Sequence, residues 1–212
     1  MVADPGGDLA RIGAQRTLLA AAMRRVAPLD DASIAAVANL CEARDFAPGE
    51  WLLRGGERAR DGFLVLDGLA RELYVDAAGD EHTRAFTTPG GFTGSLLDLL
   101  GDAPSVTWIQ ALLPTRVLAF PYARFDALCS TSPALTQFAR RLAERLYVRK
   151  AQREHELLAL TAAERHARWL HAHAALDGVV TGRILASYLG ITPEHLSRLR
   201  RARAQRDARP RA

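Results

Sequence analysis

Lysine is almost missing from this chain. Lys150 is the only one, and arginine carries the rest of the positive charge. Cysteine is nearly as scarce: Cys41 and Cys129 stand far apart and form no C-x-x-C pair. That excludes a disulfide framework, a zinc finger and a cysteine-held iron–sulfur cluster, and it reads as two buried thiols. Long apolar runs are lacking too. A run such as "LLAAAM" is far short of the roughly 20 residues that a membrane-crossing helix needs. The opening "MVADPGGDLARIG" has no basic stretch followed by an apolar one, so no signal peptide is expected. A soluble, cytoplasmic protein with no membrane partner is predicted. Catalytic signatures are missing as well: no G-x-S-x-G, no Cys–His nucleophile arrangement and no paired carboxylates. The Gly-rich "PGGFTGS" lacks the G-K-[ST] of a phosphate loop. No enzyme is expected.

What is there is unevenly placed. The 212 residues carry a net charge of +4. Residues 183–212 alone hold eight arginines (183, 198, 200, 201, 203, 206, 209 and 211) against Glu194 and Asp207, a balance of +6, which leaves −2 for residues 1–182. Coding bias accounts for arginine over lysine but not for this clustering. A basic C-terminal block points to a polyanion, double-stranded DNA above all.

Residues 10–45 read as helical, with apolar residues three to four apart and Asp30 or Asp31 as an N-cap. From "FAPGEWLLRGGE" to about Phe120, short apolar or alternating runs are broken by Gly and Pro every 8–12 residues or so, as in an antiparallel β barrel or sandwich. "DAAGD" suits a hairpin turn. After Pro121 the strands stop. Ser132 caps a long helix with Pro133 in its first position. Its stripe of Leu135, Phe138, Leu142 and Leu146 either lies along the barrel or pairs with a second copy. Thr161 and Glu164 form a capping box for a helix over Ala162–Ala175. The fold class is therefore α+β: a sensor barrel over 10–128, a long helix over 132–160 read as the homodimer seam, and a helix-turn-helix over 161–206.

The last element rests on "GRILASYLGITPEHLSRLRR". Gly190 sits where the turn requires tolerance of positive φ, Thr192 caps the second helix and Pro193 opens it. Ala186 lets the two helices approach, and Leu185, Leu189, Leu196 and Leu199 fall between them. On a wheel of about 100° per residue, Glu194 at 0° is joined by Arg201 near 340°, Arg198 near 40° and Ser197 near 300°. Leu196 and Leu199 fall near 200° and 140° on the same wheel. A polar face at a helix N-terminus is what enters a major groove. There arginine can donate twice to guanine, and glutamate can accept from cytosine N4. Arg200, Arg201, Arg203 and Arg206 are placed for phosphates. Thr192 and His195 complete the predicted DNA face.

With these residues in hand, the chain resembles the Crp/Fnr family of bacterial transcription regulators over nearly its whole length. "ILASYLGITPEHLSRLRR" and "LTAAERHARWL" are similar to the recognition motif and the preceding helix of a short-chain branch. "PGEWLLRGGE", "GFLVLDGLARELYVDAAGDE" and "PGGFTGSL" are similar to its barrel motifs. The resemblance implies a cyclic-nucleotide-binding-like jelly roll, a long dimerisation helix and a DNA-binding helix-turn-helix. It implies that Glu194, Ser197 and Arg198 read a half-site of the TTGA kind. RNA polymerase and a small-molecule effector are the further partners in view.

Three departures accompany the resemblance. The family's cyclic-nucleotide pocket uses a Glu and an Arg, and alignment puts Ser95 and Ser105 there, with no arginine in residues 96–107. Gly94, Ser95, Leu96, Ser105, Val106 and Thr107 are therefore effector-pocket residues for something other than cyclic AMP, since a buried cyclic phosphate without a cation is poorly compensated. The cluster-binding cysteines of Fnr are missing. Residues after the recognition helix leave no room for the family's β wing, which points to weaker DNA binding.

His155, His166, His171 and His173 raise a metal or haem reading. No Cys or carboxylate completes a ligand spacing, so no metal or cofactor is expected. The alternative to a DNA reader is a ligand-sensing module acting through protein contacts, which leaves the outward Glu–Ser–Arg face without a purpose.

Overall fold

The computed structural model describes residues 5–101 and 103–207. Arg209 and Arg211 of the basic block lie outside them. Helices α1 (Pro5–Val26) and α2 (Asp31–Ala38) come first, and Asp30 caps α2 by accepting from the Ser33 N–H at 2.6 Å. Eight strands follow: β1 (Glu42–Phe46), β2 (Trp51–Leu53), β3 (Asp61–Asp67), β4 (Ala70–Val75), β5 (Glu81–Thr87), β6 (Phe92–Thr93), β7 (Trp108–Ala111) and β8 (Thr115–Pro121). A short helix α3 (Leu96–Leu100) interrupts them. Then come α4 (Tyr122–Thr131), α5 (Pro133–Ala159), α6 (Ala162–Ala172), α7 (Gly182–Leu189) and α8 (Pro193–Asp207).

The strands form two four-stranded sheets, ordered β1-β8-β3-β6 and β2-β7-β4-β5, with β1–β8, β3–β8, β3–β6 and β2–β7 antiparallel. Successive side chains of a strand point to opposite faces. In β3, Phe63 and Val65 turn one way, into a core with Leu53, Ile109, Val117 and Ala119. Leu64 and Leu66 turn the other way, onto Leu19, Met23, Ile34 and Phe125 of the helices. A strand covered on both faces reads as a continuous apolar run, which is why "GFLVL" does not alternate.

One sequence expectation is corrected and one open alternative is decided. The helical reading of 10–45 ends too late, because Glu42–Phe46 is a strand, paired with β8 from Glu42–Ala119 to Phe46–Thr115. The stripe on α5 faces this chain's own barrel. Leu135 and Phe138 are buried in the helix–sheet core, and Leu142 packs at its edge. The apolar side chains that α5 leaves exposed are others, Tyr147 (72%) and Val148 (51%) among them.

By its internal contacts the chain forms two compact units. One comprises the residues up to Glu72 together with Phe86–Tyr147. The other comprises Leu73–Ala85, the β4–β5 hairpin, together with the chain from Val148 onward. The "DAAGD" turn closes that hairpin, with the Asp76 N–H donating to the Asp80 carbonyl at 3.1 Å.

Candidate functional site

In the second unit α7 and α8 make the helix-turn-helix. Gly190 ends α7 in the left-handed conformation (φ 65°, ψ 40°), and its N–H caps the carbonyls of Ala186 and Ser187. A residue with a Cβ is disfavoured in that conformation. The Thr192 hydroxyl then accepts from the His195 N–H at 3.2 Å, and Pro193 is the first helical residue. Leu185, Leu189 and Leu196 are buried between the helices, and Leu199 is half-buried. On the opposite side, Thr192, Glu194, Ser197, Arg198 and Arg201 are exposed, with His195 half-buried. The backbone N–H at the start of α8, the Thr192 hydroxyl and the Arg198 charge hold the Glu194 carboxyl below its ordinary value. It therefore presents an acceptor beside a guanidinium. Arg200 lies 3.5 Å from the exposed Asp177.

Support for this pair comes from residues whose role periodicity does not reveal. Helix C-termini leave carbonyls without partners. Here the Arg153 guanidinium donates to the Tyr188 carbonyl and lies 3.9 Å over the Tyr188 ring, while Arg165 donates to the Leu189 carbonyl at 2.8 Å. Two cations thus close the negative end of α7. The Ser187 hydroxyl donates to the Glu81 carbonyl at 2.6 Å and accepts from the Thr83 N–H at 2.9 Å, tying α7 to the β4–β5 hairpin. Behind α7, Trp169 is buried, stacked on His173 at 4.4 Å and tilted against Tyr188 at 5.1 Å. Burial pushes the pKa of both His166 and His173 down. They are neutral packing groups, and among the described residues no three His, Cys, Asp or Glu side chains converge on a metal position.

In the first unit the predicted effector residues divide. Ser95, Ser105 and Thr107 are buried together. The Ser95 and Thr107 hydroxyls are 2.8 Å apart, and Ser105 donates to Asp98 Oδ2 at 2.5 Å. Asp98, which sequence reasoning missed, is only 8% exposed. Burial raises its pKa, but the Ser105, Ser95 and Thr107 hydroxyls together pull it below the ordinary value. Nearby on β4, Glu72 is buried and accepts from Thr93 at 2.7 Å. Val106 turns to solvent (56% exposed), while Gly94 and Leu96 line a different, apolar cavity.

A folded carboxyl held below its unfolded value of about 3.9 stabilises the fold above that pH and loses this contribution as pH falls through the lowered value. Asp98→Asn is therefore expected to destabilise the protein by about 1–3 kcal/mol at neutral pH. The deficit should shrink as pH falls below the reference carboxylate value and on through the lowered folded one. Urea melts at neutral pH and in acid check this, and an undiminished deficit in acid would contradict it.

Residues 43–132 match the cyclic nucleotide-binding domain family. No curated protein sequence matches the chain. Among solved structures it is similar to FixK2 of Bradyrhizobium japonicum (18% identity, TM-score 0.69, covering 79% of this chain and 86% of that one). It is also similar to CLP, the c-di-GMP responsive global regulator of Xanthomonas campestris (17%, 0.69, 86% and 96%). The catabolite activator protein of Thermus thermophilus is a third (23%, 0.53, 87% and 88%). At these identities the likeness establishes the fold.

Proposed function

We propose that the chain is a dimeric transcription regulator, because residues 43–132 match the cyclic nucleotide-binding domain family and its solved neighbours include Crp/Fnr family transcriptional regulators. In this reading α8 enters the DNA major groove, and the sensor answers to something other than a cyclic nucleotide. The observation that carries it is the exposed Glu194, Ser197, Arg198 and Arg201 face opposite buried Leu196. Arg198 and Arg201 beside Glu194 give that face the donors and the acceptor that base edges and phosphates require. We assign 10–128 to sensing, 132–160 to pairing and 161–206 to DNA. Pairing falls to the exposed Tyr147 and Val148 of α5, because Leu135 and Phe138 are already covered.

A duplex with two inverted TTGA half-sites about 10 bp apart, one helical turn, should sediment with two protomers bound. A single bound protomer, or equal affinity for a scrambled duplex, would refute the assignment. Cyclic AMP and cyclic GMP should give no binding heat at micromolar concentration, since Ser95 and Ser105 stand where the resemblance places the Glu and the Arg. Submicromolar affinity for either would overturn the pocket argument.

A further inference from the structure

The first unit has an apolar opening distinct from the polar pocket. It is a cavity of about 260 Å³ between α3, α4, α5 and the outer face of the first sheet. Phe92, Leu96, Leu99, Phe120, Leu142 and Leu146 supply much of its wall. Dispersion and the hydrophobic effect leave such a wall without partners when it is empty. Dry cavities of about 150 Å³ lined by Leu, Ile and Phe hold benzene, and ligand sites begin at about 300 Å³. This cavity therefore suits a ring or a short acyl chain and is too small for a nucleotide.

One charged residue joins the lining, Arg140. It is exposed and, among the described residues, pairs with the exposed Glu144 four residues along the same helix. Such a surface pair is weak, so the guanidinium can exchange partners at little cost. Tyr122 also lines the cavity, and burial first of all raises its phenol pKa. That keeps it a neutral donor.

We propose that this cavity, rather than the polar pocket, is the effector site, and that its ligand is a small apolar carboxylate with its chain or ring in the cavity and its anion on Arg140. The effector role rests on the regulator reading above, whereas the binding does not. Octanoate, titrated by calorimetry into the full chain, should bind at one site per protomer. Arg140→Gln should weaken octanoate about fivefold, the scale of an exposed ion pair, and leave octanol unchanged. Ala143→Phe, which puts a ring into the cavity, should abolish both while keeping or raising the thermal midpoint. DNA affinity of the wild type should change at saturating octanoate, and that of Ala143→Phe should not. No octanoate binding, or binding that Ala143→Phe leaves intact, overturns the site. Binding with no change in DNA affinity overturns the effector role. A protein that takes octanoate but binds no DNA leaves the site standing and refutes the regulator reading instead.

Discussion

Arg198→Ala is expected to weaken binding to the preferred DNA by about 1–3 kcal/mol, a loss of roughly five- to 150-fold, and to relax the preference at one base pair. The reason is geometric. Arg198 and Glu194 are four residues apart at the start of α8, both exposed, on a helix whose buried side is fixed by Leu196. A bidentate guanidinium on guanine O6 and N7 carries sequence information, and a phosphate contact does not. Arg201→Ala is the control. If it meets phosphate, it should weaken all sequences alike and flatten the salt dependence by about one unit of slope. Fluorescence titrations with matched and single-mismatch duplexes separate the two outcomes. Equal losses on every sequence for Arg198→Ala would move that residue from base reading to backbone positioning.

Trp169→Ala should cost about 3–5 kcal/mol, the range for deleting a buried large aromatic. Trp169 is 2% exposed and stacks on His173 while touching Tyr188, which in turn carries Arg153 over its ring. Removing the indole opens a void behind α7 and loosens the ring that Arg153 needs. The helix-turn-helix should then melt before the barrel, because the two lie in separate compact units. Differential scanning calorimetry should resolve an early transition in the variant, with DNA binding lost at the temperature where it occurs. A single unshifted transition would show that Trp169 packing does not hold the unit together.

The helix-turn-helix was legible because its signals are local and of different kinds. The left-handed Gly190, the Thr192 cap and Pro193 each act within a few residues, and all agree with the leucine spacing. The capping box at Thr161 and Glu164 was legible for the same reason. Strand β1 was not. It runs at the sheet edge as Glu-Ala-Arg-Asp-Phe, with no apolar alternation to betray it. Its charges meet partners far away in sequence, Arg44 with Asp61 at 2.7 Å and Asp45 with Arg116 at 2.6 Å. Charged edge strands resist pairing with other chains, and the same charges hide them from a search for apolar runs.

The α5 stripe shows a different limit. A helical period of apolar residues says that one face is covered and is silent on what covers it. Leu135 and Phe138 are as periodic against their own sheet as they would be against a second copy. Arg153 carries no local signal of its role, and only the fold brings it to the Tyr188 carbonyl 35 residues on. Asp98, in "LLDLL", carries no motif. Its meaning lies in Ser95 three residues before and Ser105 seven after, which the turn of α3 folds around it.

Selection of bound duplexes from a random DNA library by the full-length wild-type chain tests the central claim most directly. The account predicts an enriched palindrome with half-sites one helical turn apart, each containing the guanine that Arg198 reads. Recovery of no palindrome, or of the same motif by the Arg198→Ala variant, would contradict it.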